Sequence, residues 1–186
     1  MEIATYLLLA MAVLGATDIF LFHTLAQGIR RHSGCRSELW SHALRGPTYL
    51  ALFIAIPNLA LDGAWFIALL GVLGFDLAIS LWDFSVERSS RSELGGLVTG
   101  EYVLHILLAI LFGALVASIL LLEGHRVHAP TRIQYQPVAA PSLLRGLLAL
   151  GGLLAFGSGL LDALAALRLG RGESPPTRME PGPRKG

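Results

Sequence analysis

The sequence predicts an all-α integral membrane bundle of about five transmembrane helices, four of which form a bundle around a polar site. Composition is the first observation behind this reading: 54% of the 186 residues are hydrophobic, 15% are charged and mean hydropathy is +0.63, whereas a soluble domain runs near a quarter charged. The second is segment length, because five stretches approach the roughly 20 apolar residues that a helix needs to cross a bilayer. The third is the distribution of arginine, which is strongly one-sided.

The five segments are Ile3–Ala26, Ser37–Ala60, Ala64–Val86, Gly96–Leu122 and Ser142–Leu167. Met1 and Glu2 lead directly into the first apolar run without a basic n-region or a small-residue cleavage site, so this segment reads as retained. The second begins polar, with Glu38, Ser41, His42 and Arg45, and contains Pro47 and Pro57. Its first turns are expected in the interface, and Pro47 is a candidate kink because proline removes a backbone donor. The fifth is rich in Leu, Ala and small residues (Gly151, Gly152, Gly157, Ser158, Gly159) and reads as a packing helix. The Gly124–Pro141 connection is polar and reads as irregular. Residues 1–169 form one membrane domain, and 170–186, rich in Pro, Gly and Arg, read as a disordered cytoplasmic tail.

Orientation follows from the positive-inside rule. Arg30, Arg31, Arg36, Arg45, Arg88, Arg91, Arg168, Arg171, Arg178, Arg184 and Lys185 fall on one side, and only Arg126, Arg132 and Arg145 on the other. This places the N-terminus outside and the C-terminus in the cytoplasm, in a bacterial inner membrane. A formal net charge of +1 gives no reason to expect nucleic acid as a partner. The single cysteine, Cys35, excludes an internal disulfide and a paired-cysteine metal cluster.

Ionisable groups in membrane helices are costly unless paired, hydrated or metal-bound. Helices one to four carry Asp18, His23, Glu38, His42, Asp76, Asp83, Glu87, Glu101 and His105. On an ideal helix Asp76, Asp83 and Glu87 fall within roughly 40° of one another, and Glu38–His42 and Glu101–His105 are i, i+4 pairs. His23, Glu38, His42, Asp83, Glu101 and His105 share a level roughly 6 to 12 Å in from the cytoplasmic ends. Asp18 and Asp76 lie a turn deeper, suited to pair with each other or to support the first ligands. Because Asp18 and His23 are about 140° apart on an α-helix, His23 is the stronger ligand candidate.

Three imidazoles and several carboxylates at one level suit a dinuclear divalent metal site of iron or manganese, with zinc as the alternative. The candidate ligands are His23, Glu38, His42, Asp83, Glu101, His105, Asp76 and Asp18. Arg45 is placed to hold an anionic head group, Tyr49 to serve as a redox or proton partner, and Glu87 to relay protons. The leading function is an oxidoreductase acting on a membrane lipid or other apolar small molecule, supplied by an electron donor. A zinc-dependent hydrolase, a proton- or ion-coupled transporter and a b-type haem protein are the alternatives. The glutamates also admit a plainer role, hydrated or paired with Arg36, Arg45, Arg88 or Arg91 at the interface. Asp162 reads as reaching the interface or a nearby arginine, and His125 and His128 as loop residues.

The stretches SELWSHALR, LWDFSVERSSR and EYVLHILLA resemble those of a group of small bacterial polytopic membrane proteins that carry E-x-x-x-H-x-x-R, WDF-x-x-E and E-x-x-L-H. The resemblance covers about Glu38 to His105. It implies a polytopic membrane fold and supplies no activity.

Overall fold

A computed structural model describes residues 1–172, and five long helices dominate it: α1 (Glu2–Thr17), α2 (Arg36–Asn58), α3 (Ala64–Ser90), α4 (Thr99–Glu123) and α5 (Ser142–Gly170). Gly170, the first residue of the expected tail, closes α5, and 173–186 lie outside the described residues. Four helices are long and apolar enough to cross a membrane, namely α1 with its extension to Ala26, α3, α4 with the turn after it, and α5. Their outer faces expose large apolar side chains, with Leu121 84% and Leu143 73% accessible. Such inverted exposure fits a bilayer as solvent.

The second segment is the exception foreseen from its polarity. It is not apolar enough to count among the four, yet its 23 residues extend for about 34 Å. The reason is its position: α2 packs against α5 and α3 and touches α1, so most of its surface meets protein, and a stripe that includes Leu44, Ala51 and Ile54 stays exposed. A helix so placed can carry Glu38, Ser41 and Thr48 buried.

Glycines set the α2–α5 contact. A methyl on Gly46 would lie 3.2 Å from the Ala155 carbonyl oxygen and from Phe156 Cα, and one on Gly159 would lie 3.2 Å from the carbonyl oxygens of Ala43 and His42. The helix passes through Pro47 without ending. Proline at 47 leaves the Ala43 carbonyl without its usual N–H donor, and that carbonyl faces the bare Cα of Gly159, where small residues permit close approach. Gly46→Leu should therefore overpack the interface and destabilise the bundle by about 1–3 kcal/mol, read as a lowered thermal midpoint in detergent. Gly146→Leu, with no neighbouring atom within 4 Å, should leave the midpoint unchanged.

The Gly124–Pro141 connection, expected to be irregular, contributes to an ordered ribbon. Two short strands pair antiparallel, β1 (Leu59–Asp62) with β2 (Arg132–Tyr135), so α2 ends two residues before Ala60. Asp62 ties the ribbon, accepting from Arg132 Nε at 2.7 Å and Arg126 Nη1 at 2.9 Å. These bonds, Arg132 first, hold its carboxyl below the usual carboxylate range. Between ribbon and site lies an apolar core drawn from all five helices, including Leu8, Phe53, Phe66, Leu115 and Leu148. The bundle thus has a dry half toward the ribbon and a polar half toward the arginine-rich end.

Candidate metal centre

The α1 helix does not stop at Thr17 but continues as a π-helix, Asp18–Ala26. Its i, i+5 bonding is visible where Gln27 N–H donates to Phe22 O at 3.0 Å and Thr24 Oγ1 donates to Ile19 O at 2.8 Å. A π-helix brings residues i and i+5 into line, and Asp18 and His23 are such a pair. They are 3.4 Å apart through Oδ2 and Nε2. The 140° separation inferred for an α-helix is thereby corrected, and Asp18 stands with His23 in the site.

From α4, Glu101 and His105 meet this pair as their i, i+4 spacing requires. His23 Nε2 lies 3.1 Å from Glu101 Oε1, and His105 Nε2 lies 3.2 Å from Asp18 Oδ2. Asp18, His23, Glu101 and His105 each offer a ligand atom, with these atoms all within 4.8 Å of one another. A second group, His23, Glu38 and His42, meets the same limit and shares His23 with the first. The His23 and His42 rings stack with centroids 4.7 Å apart and planes 7° off parallel. Both groups could hold a metal ion.

Each member of the four-residue group leaves one buried polar atom without a hydrogen bond: Asp18 Oδ1, His23 Nε2, Glu101 Oε2 and His105 Nδ1. Buried polar atoms are seldom left so. His105 Nδ1 is 3.2 Å from Glu87 Oε1, yet the two are not aligned as donor and acceptor. Arg45 Nε is left without a partner as well. Asp18 and His105 do hydrogen-bond each other through Oδ2 and Nε2, so the four residues converge while satisfying one another only in part, a set that a cation could complete.

The remaining sequence-predicted residues fall around this centre rather than in it. Asp76 and Asp83, read as ligands, belong to neither group. Each lies 3.6 Å from Arg45, through Nε and Nη1 respectively. Thr48 donates to Asp76 at 3.2 Å and Ser41 to Asp83 at 2.5 Å. Asp76 does not pair with Asp18. Asp83 Oδ2 is also 3.7 Å from His42 Nε2, where it can orient the ring. Arg45, expected to hold a head group, is instead placed between the two aspartates, and its Nη2 donates to Ser80 at 2.7 Å. Tyr49 lies deeper, with its ring 5.5 Å from Phe53 in the apolar core, and makes no hydrogen bond among the described residues. Glu87 is beside His105 as its facing implied.

Two contributions were underweighted in the sequence. Arg91, fully buried, donates through Nε and Nη2 to both oxygens of Glu38, through Nη2 to Glu101 at 2.8 Å, and through Nη1 to Gln27. It stood in the sequence only as one of several surface partners for the glutamates. Asp162 brings α5, read as packing alone, into the site. Its carboxylate accepts from Arg30 Nε at 2.5 Å, an arginine partner of the kind expected for it, and also stands 3.9 Å from His42 Nδ1. The available signal was an acid inside an apolar helix. Cys35 takes no part as a thiolate, because burial, aided by Glu38, pushes its thiol up to about 11.

No protein-family model, curated protein or solved structure matches the chain. Fold and site together define a polytopic helical membrane bundle with a buried histidine–carboxylate cluster at one end.

Proposed function

We propose that the chain is a metalloprotein of the cytoplasmic membrane whose cluster binds two divalent transition ions, and that it acts as an oxidoreductase on a lipid or other apolar substrate. Convergence carries this reading: Asp18, His23 and Glu101, buried, and His105, half-buried, bring ligand atoms within 4.8 Å of one another, and each of the four keeps one unsatisfied polar atom. Charge supports it. Seven buried carboxylates at this end (Asp18, Glu38, Asp76, Asp83, Glu87, Glu101, Asp162) face the three guanidiniums of Arg30, Arg45 and Arg91. The four negative charges left over match two divalent cations with neutral histidine ligands. Three imidazoliums are the other remedy, but His23 and His42, stacked at 4.7 Å, would then repel.

The donor set of imidazole nitrogen and carboxylate oxygen suits iron or manganese, then zinc. Bound iron or manganese supplies one-electron and oxygen chemistry. The chain's own residues hold the rings and move protons. Asp83 and Asp162 lie 3.7 and 3.9 Å from the two nitrogens of His42, so the nitrogen that does not bind metal has an acid beside it to orient the ring, and Glu87 is the acid placed to exchange a proton with His105 Nδ1. The arginine bias puts this end in the cytoplasm, so an electron donor would dock there.

Two alternatives lose support. A porphyrin cannot enter between rings stacked at 4.7 Å, which disfavours haem ligated by His23 and His42. A transporter needs a polar path onward, and the apolar core between the cluster and the ribbon offers none. A zinc hydrolase would use the same ligands, so the metal itself decides.

Elemental analysis and an optical spectrum of protein purified in mild detergent test the proposal. About two iron or manganese ions per chain is the expected result, zinc would turn the reading to hydrolysis, and folded metal-free protein that takes up no added metal would overturn it.

A further inference from the structure

The helices α3 and α4 follow one another in the chain but make few close approaches; α4 packs on α1 and α3 on α2. Between them opens a cleft of about 510 Å³, walled by Phe84 and Arg88 from α3 and by Tyr102 and Ile106 from α4. Glu87 and His105 also line it, so the cleft reaches the metal-binding cluster. Phe84, Tyr102 and Ile106 are 43%, 56% and 43% accessible, on faces that meet lipid. Arg88 lies one turn nearer the arginine-rich end than Phe84. It is exposed and pairs with no carboxylate among the described residues.

Resting on the metalloprotein reading above, we propose that this cleft admits a long-chain fatty carboxylate sideways from the adjoining leaflet and lays its chain past His105. The guanidinium of Arg88 is a planar fork that matches a carboxylate. The apolar walls suit a hydrocarbon chain. The volume lies in the range that encloses one small ligand, which favours a single chain over a whole two-chain phospholipid. With the carboxylate on Arg88, the chain runs along α4 from Tyr102 toward Ala109, and His105 faces it between these two. This names the substrate class of the proposed oxidoreductase.

A diazirine-bearing palmitate analogue, added to the full chain in phosphatidylcholine nanodiscs and photolysed, tests the assignment by mass spectrometry of the labelled peptides. Labelling should concentrate on peptides holding Phe84 and Ile106, and be competed by palmitate but not by hexadecanol. Arg88→Gln should reduce it roughly tenfold, the loss of one charge-assisted hydrogen bond, while Arg88→Lys should retain most of it. Labelling spread evenly over the lipid-facing helices, or indifferent to Arg88→Gln, would overturn the proposal. So would competition by phosphatidylglycerol equal to that by palmitate, which would make a phospholipid the occupant. Metal content read on the same samples separates the two readings. Metal-loaded protein without focused labelling removes the fatty carboxylate and leaves the metal centre, whereas focused labelling of metal-free protein does the reverse.

Discussion

His23→Ala is expected to empty the site of metal, whereas His42→Ala and His105→Ala should each cost roughly one of two ions. The asymmetry comes from geometry, since His23 is the residue common to both ligand groups. Losing it removes a nitrogen donor from each and leaves Asp18 and Glu101 facing each other across the gap. Second-sphere changes at metal sites cost about 10–100-fold in affinity, and a ligand shared by two ions should cost more than that for both. Elemental analysis of the three variants, with circular dichroism to confirm helical content, reads the result. Equal metal content in all four proteins would mean that the cluster is an ion-pair network and no metal centre.

Arg91→Leu is expected to be the most destabilising single change in the polar half. It strands Glu38 and Glu101, which are 1% and 0% accessible, without their shared cation. Breaking a buried ion pair from one side costs about 3–5 kcal/mol, which for a chain of this length lowers the melting temperature on the order of 10 °C. Combining Arg91→Leu with Glu38→Gln should recover part of the loss, because one of the stranded charges is then gone. Added divalent metal should raise the midpoint of Arg91→Leu more than that of the parent chain, since binding to the folded state alone stabilises it. An unchanged midpoint in Arg91→Leu would show that the two glutamates are not held as a charged cluster.

Much of the bundle was legible because a bilayer imposes length and apolarity on whatever faces it. The helices α1, α3, α4 and α5 met those demands, whereas α2 is shielded by its neighbours and could depart from them. Within the site, Glu101 and His105 were legible because i, i+4 spacing survives any packing of α4. Asp18 was misjudged because nothing in Asp18–Ala26 announces a π-helix, and its changed pitch turns a 140° separation into a shared face. Arg91 was read as one of the partners for the glutamates and Arg45 as a head-group ligand, but the depth to which these two and Arg30 reach was not legible, for a different reason. Arginine counts set topology, but each of these long side chains folds back into the bundle and binds acids from other helices. The ribbon was hidden by distance, since each residue of Leu59–Asp62 finds its partner 70 to 76 residues later.

The apolar core between the cluster and the ribbon makes the molecule electrically one-sided. For the proposed metal centre, ions, protons and electrons would all reach the cluster from the same face and leave by it. Each crosses only the shallow part of the bilayer's field, where the work against the transmembrane voltage is a small fraction of the roughly 2.3 kcal/mol per charge that a full crossing at 100 mV would require. Turnover at the proposed centre would neither draw on the membrane potential nor dissipate it, so the bilayer would serve the site as a solvent for its substrate and not as a source of energy.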